Sequence, residues 1–256
     1  MTMEALAAER KALLFTAGGV RLALRLSHVR EVVAAPSDAP AESFGGAVAV
    51  EVASALGLRP GPGALAVYTD APRLALRVDA VNGIIDLGQA EVFQLPARTV
   101  LPAPAPFSGA LVHAGSVALE LAPAALAGPA PRPLVPPAIP ALEAPFALGA
   151  ELLFVRGART YGVPVQLLSR VLEDPLVQPV PLTAPAHRGL LVHARALHPV
   201  FDIGALHGDE PRSGAASALL VDAGGEVVAV LADGVLPPGG APPAGVVRPS
   251  WDALFG

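Results

Sequence analysis

Short apolar runs alternate along the chain with clusters of turn-forming residues. Runs such as LALRVDAV (Leu74–Val81) and VAVLADGV (Val228–Val235) are rich in Val, Leu and Ala, and segments such as APSDAP, DAGG and PPGGAPP lie between runs of this kind. Short alternating runs bounded by Gly, Pro, Asp and Ser are typical of β-strands joined by tight turns. The pattern predicts an all-β protein of small barrels with short helices.

Helical content is expected only in short pieces ahead of, between or after the strands. They are Glu4–Leu13, LSHVREVV (26–33), VASALG (52–57), APAALAG (122–128), QLLSRVLE (166–173), IGALHG (203–208) and SWDALF (250–255).

Three blocks of sequence recur in the same order in the two halves of the chain. LLFTAGGVRLALRLSHVREVV (13–33) aligns without a gap to LLFVRGARTYGVPVQLLSRVL (152–172), so that Gly18 falls on Gly157 and Val32 on Val171. VEVASALG (50–57) then aligns to FDIGALHG (201–208), and LALRVDAV to VAVLADGV. The order of the blocks predicts a tandem repeat.

A proline-rich segment, GPAPRPLVPPAIPALEAP (128–145), divides the two copies. Repeated prolines deny the backbone both helix and central-strand hydrogen bonds, so the segment is expected to be an extended spacer. A surface loop within one domain is the alternative. The predicted organisation is a first domain at 1–127 with an N-terminal helical segment, a linker at 128–147 and a second domain at 148–256.

Composition removes several classes of function. The 256 residues include no cysteine, which excludes disulfides and thiolate chemistry, and the net charge of -5 without a basic run argues against a nucleic-acid partner. The longest uncharged stretch, Thr99–Leu119, is interrupted by Pro102, Pro104 and Pro106, and the N-terminus lacks a basic region before an apolar run. We therefore expect neither a membrane span nor a secretory signal, and a cytoplasmic location.

The stretch HARALHPVFDIGALHG (193–208) predicts a hairpin followed by a helical turn. Ala194 and Arg195 would turn the chain, and Pro199 fits only an edge strand or a bulge because it has no N–H to donate. Asp202 is placed to cap the helical turn, and Gly208 to end it in a left-handed conformation.

Two pairs of acids match across the repeat, Glu51 with Asp202 and Asp79 with Asp233. Acid–base catalysis is conceivable for such pairs, but each acid ends a strand before a turn, which favours capping. The six histidines lack metal-ligand spacing, and His113 and His193, in the contexts GALVHAG and GLLVHAR, are expected at hairpin turns. Neither a phosphate loop nor a catalytic triad motif is found.

Each half resembles a CheW-like domain, the coupling module of bacterial chemosensory arrays. The second half carries the resemblance in YGVPV (161–165), GLLVHARALHPVFDI (189–203) and ADGV (232–235). The first half carries it in LALRL (22–26), VRE (29–31), AVEV (49–52), VDAV (78–81) and the closing segment 109–126. The resemblance implies that each half forms two intertwined five-stranded SH3-like barrels, and that the protein is not an enzyme and has no cofactor.

The sequence also departs from the family pattern. Where the family commonly has Arg-Gly at a hairpin turn, the second half has Ala194 and Arg195, and the first half has Ser43 and Phe44. The acid of the VxE step is Glu31 in the first copy but Arg170 in the second. The segment after Val235 is too short for the closing hairpin, so the second domain is expected to be incomplete there, with SWDALF in place of the final helix.

The resemblance implies an adaptor that binds a CheA-type histidine kinase, chemoreceptors, or both. Polar residues flanked by apolar strands fit the rim of a protein interface, which favours Glu31 and Arg195 as contacts, with Val29, Val32 and Leu168 as apolar contributors. One alternative is that the modules bind other partners, such as motility or polarity proteins. Another is a β-barrel small-molecule binder or hydrolase, with Asp79, Asp233 and histidines around a cavity.

Overall fold

A computed structural model of the protein describes residues 9–35, 45–129, 132–134, 150–237 and 243–255. Within these ranges the chain is mostly β-sheet with short helices, which confirms the predicted fold class. No helix in the described ranges is long and apolar enough to cross a bilayer. Most of the predicted linker, together with Ser43 and Phe44, lies outside the described residues.

The chain divides into two compact units. The first unit comprises Met1–Leu134 with Gln178–Thr183, and the second comprises Val135–Val177 with Ala184–Gly256.

The first unit contains two sheets. Its strands are β1 (Lys11–Ala17), β2 (Val20–Arg25), β3 (Val29–Ala34), β4 (Val48–Glu51), β5 (Leu65–Thr69), β6 (Leu74–Val78), β7 (Ala80–Asp86), β8 (Glu91–Phe93), β9 (Phe107–His113) and β10 (Ser116–Leu121). The larger sheet has the order β7-β1-β2-β10-β9-β8, and the smaller has the order β3-β5-β6-β4.

The second unit also contains two sheets. Its strands are β11 (Glu151–Arg156), β12 (Arg159–Pro164), β13 (Leu168–Glu173), β14 (His187–His193), β15 (Ala196–Phe201), β16 (Ser217–Ala223), β17 (Glu226–Ala232) and β18 (Gly234–Val235). One sheet has the order β12-β11-β18, and the other has the order β13-β16-β17-β15-β14.

Four predicted helices are confirmed as single turns, and two others are wrong in part. The confirmed turns are α1 (Val52–Ala55), α2 (Pro123–Leu126), α3 (Ile203–Leu206) and α4 (Trp251–Phe255). At 26–33 and 166–173 only Leu26–His28 and Val165–Leu167 are helical, as 3-10 turns, and the remaining residues form β3 and β13. Val and Leu at these positions suit a strand equally well, and each segment pairs with a neighbouring strand over five residue pairs. Of the helix predicted at 4–13, residues 4–8 lie outside the described ranges and Lys11–Leu13 begin β1.

Each unit is held by apolar side chains on the inward faces of its strands. In the first unit Phe15, Leu22, Leu24 and Leu119 are fully buried. In the second unit Phe154 and Tyr161 stack at 5.5 Å between ring centroids, and Trp251 of α4 packs against the same cluster. Burial of a large aromatic side chain stabilises a fold by roughly 2–3 kcal/mol, so α4 is an integral part of the second core.

The hairpin predicted at 189–203 is confirmed, with one correction at Pro199. Both Ala194 (φ 49°) and Arg195 (φ 61°) have left-handed backbone, as the two central residues of a type I′ turn require. Pro199 was expected on an edge strand or at a bulge, but β15 lies between β17 and β14, and Pro199 pairs with Leu190 in regular register. It is tolerated because β15 pairs with β17 only at Val200 and Phe201, and Nδ1 of the preceding His198 contacts the Val227 carbonyl of β17 at 3.1 Å.

The two units share a strand order and a pairing register. The order β3-β5-β6-β4 recurs as β13-β16-β17-β15, and Val32 pairs with Val67 as Val171 pairs with Leu219. In the other sheet, Leu22 pairs in parallel with Leu119, and its aligned equivalent Tyr161 forms a parallel bridge with Val247. The segment around Val247 thus occupies the position of β10, and α4 follows it as α2 follows β10.

Candidate protein-binding edges

Two strands lie at equivalent edges of the smaller sheet of the first unit and the larger sheet of the second. We call Val29–Ala34 the β3 edge and Leu168–Glu173 the β13 edge. Every residue of the β3 edge is at least partly exposed, and Val32 and Val33 are 39% and 36% exposed. The β13 edge is also partly exposed along its whole length. Edge strands present backbone N–H and C=O groups on their outer side, which makes them surfaces on which a protein partner can dock.

Three of the predicted contact residues lie together on the β3 edge. Val29 is half-buried, while the Glu31 side chain is exposed with Arg30 at 3.7 Å. The register shifts between Val29 and Glu31, so a β-bulge lies at this point of the edge. A bulge changes the direction in which nearby side chains leave the sheet. This bulge lies next to Glu31, the acid predicted to contact a partner.

The other two predicted contacts lie in the second unit and are separated from each other. Leu168 begins the β13 edge and packs partly against the core cluster around Phe154 and Trp251. Arg195 is exposed in the turn between β14 and β15, whereas β13 lies at the opposite side of this five-stranded sheet. The structure therefore does not bring Leu168 and Arg195 into one site, and all five contact residues stay predictions.

A buried arginine network in the second unit is a feature that sequence reasoning missed. Arg156 is fully buried, and its five N–H groups donate to both oxygens of Asp202 (3.1 and 2.7 Å), to Asp233 (2.7 Å) and to the carbonyls of Gly214 (2.7 Å) and Arg212 (2.9 Å). Since a guanidinium has five donors, none is left for a substrate. The signal in the sequence was the two acids Asp202 and Asp233, because a carboxylate that is buried requires a nearby cation.

Asp202 caps α3 as predicted, and it also anchors this network. Its side chain accepts hydrogen bonds from the backbone N–H groups of Gly204 at 3.1 Å and Arg212 at 3.0 Å. Burial opposes ionisation of Asp202, but the hydrogen bonds from Arg156 and the backbone outweigh it and hold the pKa of the carboxyl below its usual range. The carboxylate is a charged structural group rather than a proton-transfer group.

Asp79 and Asp233 have the same role in the two units. Each accepts a hydrogen bond from the glycine N–H of the first hairpin turn, Gly18 at 2.7 Å and Gly157 at 2.8 Å. The backbone N–H groups of the two aspartates in turn donate to Thr16 and Val155, which are aligned residues. The capping role predicted for this pair is confirmed, with a hairpin turn in place of a helix end.

Glu51 differs from its aligned residue Asp202 in how it meets the helical turn that follows it. Its carboxylate accepts no capping hydrogen bond of good geometry from α1, although the backbone N–H of Ala53 in that turn favours its ionised form. The position of Arg156 is Ala17 in the first unit, and Arg77 of β6 supplies the nearby positive charge instead. Burial raises the pKa of Glu51, and the charge of Arg77 only partly offsets this effect.

The histidines are distributed as hairpin and core residues. His113 and His193 end β9 and β14 directly before their turns, as predicted. His187 is buried against the edge of the Phe201 ring at 5.1 Å, and burial lowers its pKa to about 4. Among the described residues, no group of three or more His, Asp or Glu side chains is arranged to hold a metal ion.

Comparison with known proteins matches the segment that contains the β13 edge and the arginine network. Residues 151–237 match the CheW-like domain. This CheW-like segment runs from β11 through β18, so it includes the hairpin with Arg195 and the capped turn at Asp202. No curated protein matches the chain.

Among solved structures, the crystal structure of the scaffolding protein TtCheW from Thermoanaerobacter tengcongensis is similar. The two sequences are 19% identical over the aligned part, which covers 34% of this chain and 60% of that chain, with a TM-score of 0.31. The match thus spans less than two thirds of the length of TtCheW.

Proposed function

We propose that the protein is a non-enzymatic adaptor of a bacterial chemosensory system, located in the cytoplasm, with two tandem CheW-like domains. The observation that carries the proposal is the match of residues 151–237 to the CheW-like domain. The buried, hydrogen-bonded state of Arg156 and Asp202 supports a structural rather than catalytic role for these two charges of that segment. The protein would bind a CheA-type histidine kinase, chemoreceptors, or both.

The extension to the first unit is supported by its internal likeness to the second. Four strands of a sheet follow the same order with the same register, and the Asp79–Gly18 hydrogen bond recurs as Asp233–Gly157. A shared register is a specific similarity, because a slip of one residue in strand pairing would turn every side chain of the strand to the opposite face of the sheet. The first unit is therefore proposed as a second, divergent CheW-like domain.

The β3 edge and the β13 edge are proposed as the binding surfaces. Both strands end a sheet within the described residues, both have partly exposed apolar side chains, and both carry charged residues at exposed positions. An apolar strip with a charged rim is the usual composition of a protein interface. Arg195, at the far side of its sheet, would contribute a separate contact.

The experiment that tests the function is affinity capture of the tagged full chain from its native cells at low salt, followed by direct binding of the purified candidates. Recovery of a CheA-type kinase or chemoreceptors that then bind the purified protein would support the proposal. Recovery of neither, with another protein binding directly, would overturn the chemosensory role.

The proposed contacts are tested on the partner identified in this way. Glu31→Ala and Arg195→Ala are each expected to weaken binding about three- to tenfold, since rim charges contribute roughly 1 kcal/mol. Glu210→Ala and Arg59→Ala, which remove exposed charges elsewhere, serve as matched controls. Unchanged affinity in both test variants would remove Glu31 and Arg195 from the interface.

A second candidate function is an adaptor for other signalling or motility proteins. It is favoured by one specific observation, the reversal of charge at one matched position of the two edges. Glu31 pairs with Tyr68, and Arg170 pairs with Leu220, at equivalent positions of the two sheets. A partner surface that is complementary to the acid Glu31 on the β3 edge would face the cation Arg170 on the β13 edge. The two edges are therefore expected to recognise different partner surfaces.

A further inference from the structure

A cavity of about 280 Å³ lies in the first unit between the hairpins β1–β2 and β9–β10. Its origin is the short contact between β2 and β10, which pair in parallel only at Leu22–Leu119 and Ala23–Glu120. Before these two pairs the strands diverge toward their turns at Gly18–Gly19 and Ala114–Gly115. The space between them is lined by β2 on one side and by β9 and β10 on the other.

The floor of the cavity is apolar. Phe15 and Leu22 are fully buried, Leu111 is 1% exposed, and all three line the cavity together with Leu14 and Val117. Such a floor favours a ligand with a compact hydrocarbon body, because burial of that body removes apolar surface from water.

The rim of the cavity carries four polar side chains, each of which can donate hydrogen bonds. Arg21 and Asn82 line one side, and His113 and Ser116, which pair across the β9–β10 hairpin, line the other. Asn82 accepts a hydrogen bond from Thr16 on its Oδ1 at 2.9 Å, so its amide N–H groups are the donors it offers. No Asp or Glu is among the lining residues, all of which lie in the described part of the chain.

We propose that this cavity binds a small organic carboxylate with a compact apolar body, such as a branched or aromatic acid. A guanidinium with neighbouring hydroxyl and amide donors suits a carboxylate, since charge-assisted hydrogen bonds are about twice as strong as neutral ones. The volume is near the lower limit for small-molecule sites, roughly 300 Å³, and therefore favours a ligand of few heavy atoms. If the protein is the adaptor proposed above, this site would allow a small molecule to bind to that adaptor.

The second unit provides an internal comparison. Arg21 aligns with Thr160, and the position of β10 is taken by the bridge at Val247. The described sheet there consists of β18, β11 and β12, so the hairpin that forms one wall of the cavity has no described counterpart. Within the described residues the carboxylate site thus belongs to the first unit alone, and one ligand per chain is expected.

The test is a titration of the isotope-labelled full chain by amide NMR with benzoate and isovalerate, each compared with its uncharged amide. Saturable shifts of the Arg21, Ser116 and Val117 amides are expected with at least one acid, with a dissociation constant of roughly 1 mM for so small a ligand. The corresponding amide is expected to bind at least about tenfold more weakly, as loss of a charged partner predicts.

Variants separate this site from general surface binding. Arg21→Ala is expected to weaken binding of the acid about tenfold or more, and Arg21 is exposed, so the fold should tolerate the change. Arg59→Ala, the removal of another exposed arginine of the first unit, should leave binding unchanged. The proposal is overturned if neither acid gives saturable shifts at these amides, if acid and amide bind equally, or if Arg21→Ala binds like the wild type. None of these outcomes bears on the partner-capture experiment.

Discussion

Arg156 is the centre of the buried hydrogen-bond network in the second unit. Its side chain is 0% exposed and Asp202 is 1% exposed, and the two form a bidentate pair. If Arg156 is replaced by Leu, the carboxylate of Asp202 stays buried without its cation. Removal of one partner of a buried ion pair costs about 3–5 kcal/mol, so we expect Arg156→Leu to lower the free energy of unfolding by that amount.

The measurement uses the one tryptophan of the chain. Trp251 is buried in the second core, near Phe154 at 6.4 Å, so its fluorescence during urea denaturation reports on the second unit. Arg170→Leu, at an exposed position on the β13 edge, should change the unfolding free energy by less than about 0.5 kcal/mol. A loss below about 1 kcal/mol in Arg156→Leu would contradict the fully buried network.

His187 gives the second unit a defined dependence on pH. Burial lowers its pKa from 6.5 to about 4, so between these values the unfolded chain binds the proton and the folded chain does not. Stability is therefore complete above pH 6.5 and falls as the pH drops toward 4, by up to about 3 kcal/mol. Urea unfolding of the wild type at pH 7.5, 6 and 4.5, the values chosen to span this roughly two-unit window, should show the decrease.

The variant His187→Phe removes this titration while it keeps an aromatic ring beside Phe201. Its Trp251 transition should lose most of the dependence on pH between about 6.5 and 4. His193→Gln, a change at the other end of β14, should keep the wild-type dependence. Equal pH profiles for wild type and His187→Phe would show that another group is responsible.

At the level of elements, the turn between β14 and β15 carries a conformational cost. Both Ala194 and Arg195 have positive φ, whereas the turn between β9 and β10 pairs Ala114 with Gly115. Glycine adopts left-handed backbone without the steric penalty that arginine meets there. We expect Arg195→Gly to stabilise the second unit by about 0.5–1 kcal/mol, measured by urea denaturation with Trp251 fluorescence.

The same variant separates stability from binding at this turn. Arg195→Lys keeps the charge and the strain, so its stability should equal that of the wild type. If the proposed contact is correct, Arg195→Gly weakens partner binding although the unit becomes more stable. A less stable Arg195→Gly would mean that the interactions of the arginine side chain outweigh the backbone cost.

The elements also show what the sequence could and could not predict. Turn residues and short-range spacing made several features predictable. These are the hairpin at 189–203, the turns α1 to α4 and the acids at Asp79, Asp202 and Asp233. The strands β3 and β13 were misread as helices, because an exposed edge strand shows no alternation of burial that would distinguish it. Arg156 was missed because its partners are distant in sequence and a single residue in a hairpin gives no local signal.

At the level of the whole molecule, the two units preserve one strand order but differ in their charged positions. Arg156 of β11 is the buried cation of the second unit, whereas in the first unit the half-buried Arg77 of β6 supplies the positive charge near Glu51. On the surface, Glu31 of the β3 edge corresponds to Arg170 of the β13 edge. The two units thus share an architecture but differ in the sign of the charge at this one matched edge position, as expected if the edges recognise different surfaces.

This difference leads to a prediction about the full chain. If each edge selects its own partner surface, Glu31→Arg should weaken binding at the β3 edge and leave the β13 edge unaffected, and Arg170→Glu should have the converse effect. A charge reversal against a complementary partner is worth roughly 1–2 kcal/mol, or about five- to thirtyfold in affinity, and the effect should shrink at high salt. The measurement is binding of each captured partner, in separate titrations, to the two single variants and to the double variant.

The double variant distinguishes two different edges from two copies of one binding site. With separate partners, Glu31→Arg with Arg170→Glu should lose affinity for both, each by the amount seen in its single variant. If both edges instead bind one multivalent partner, each single variant should already lose the gain in affinity that comes from linking the two contacts. The losses of binding free energy in the two single variants should then not add up to the loss in the double variant. Full retention of both affinities in the double variant would mean that neither edge charge contributes to recognition.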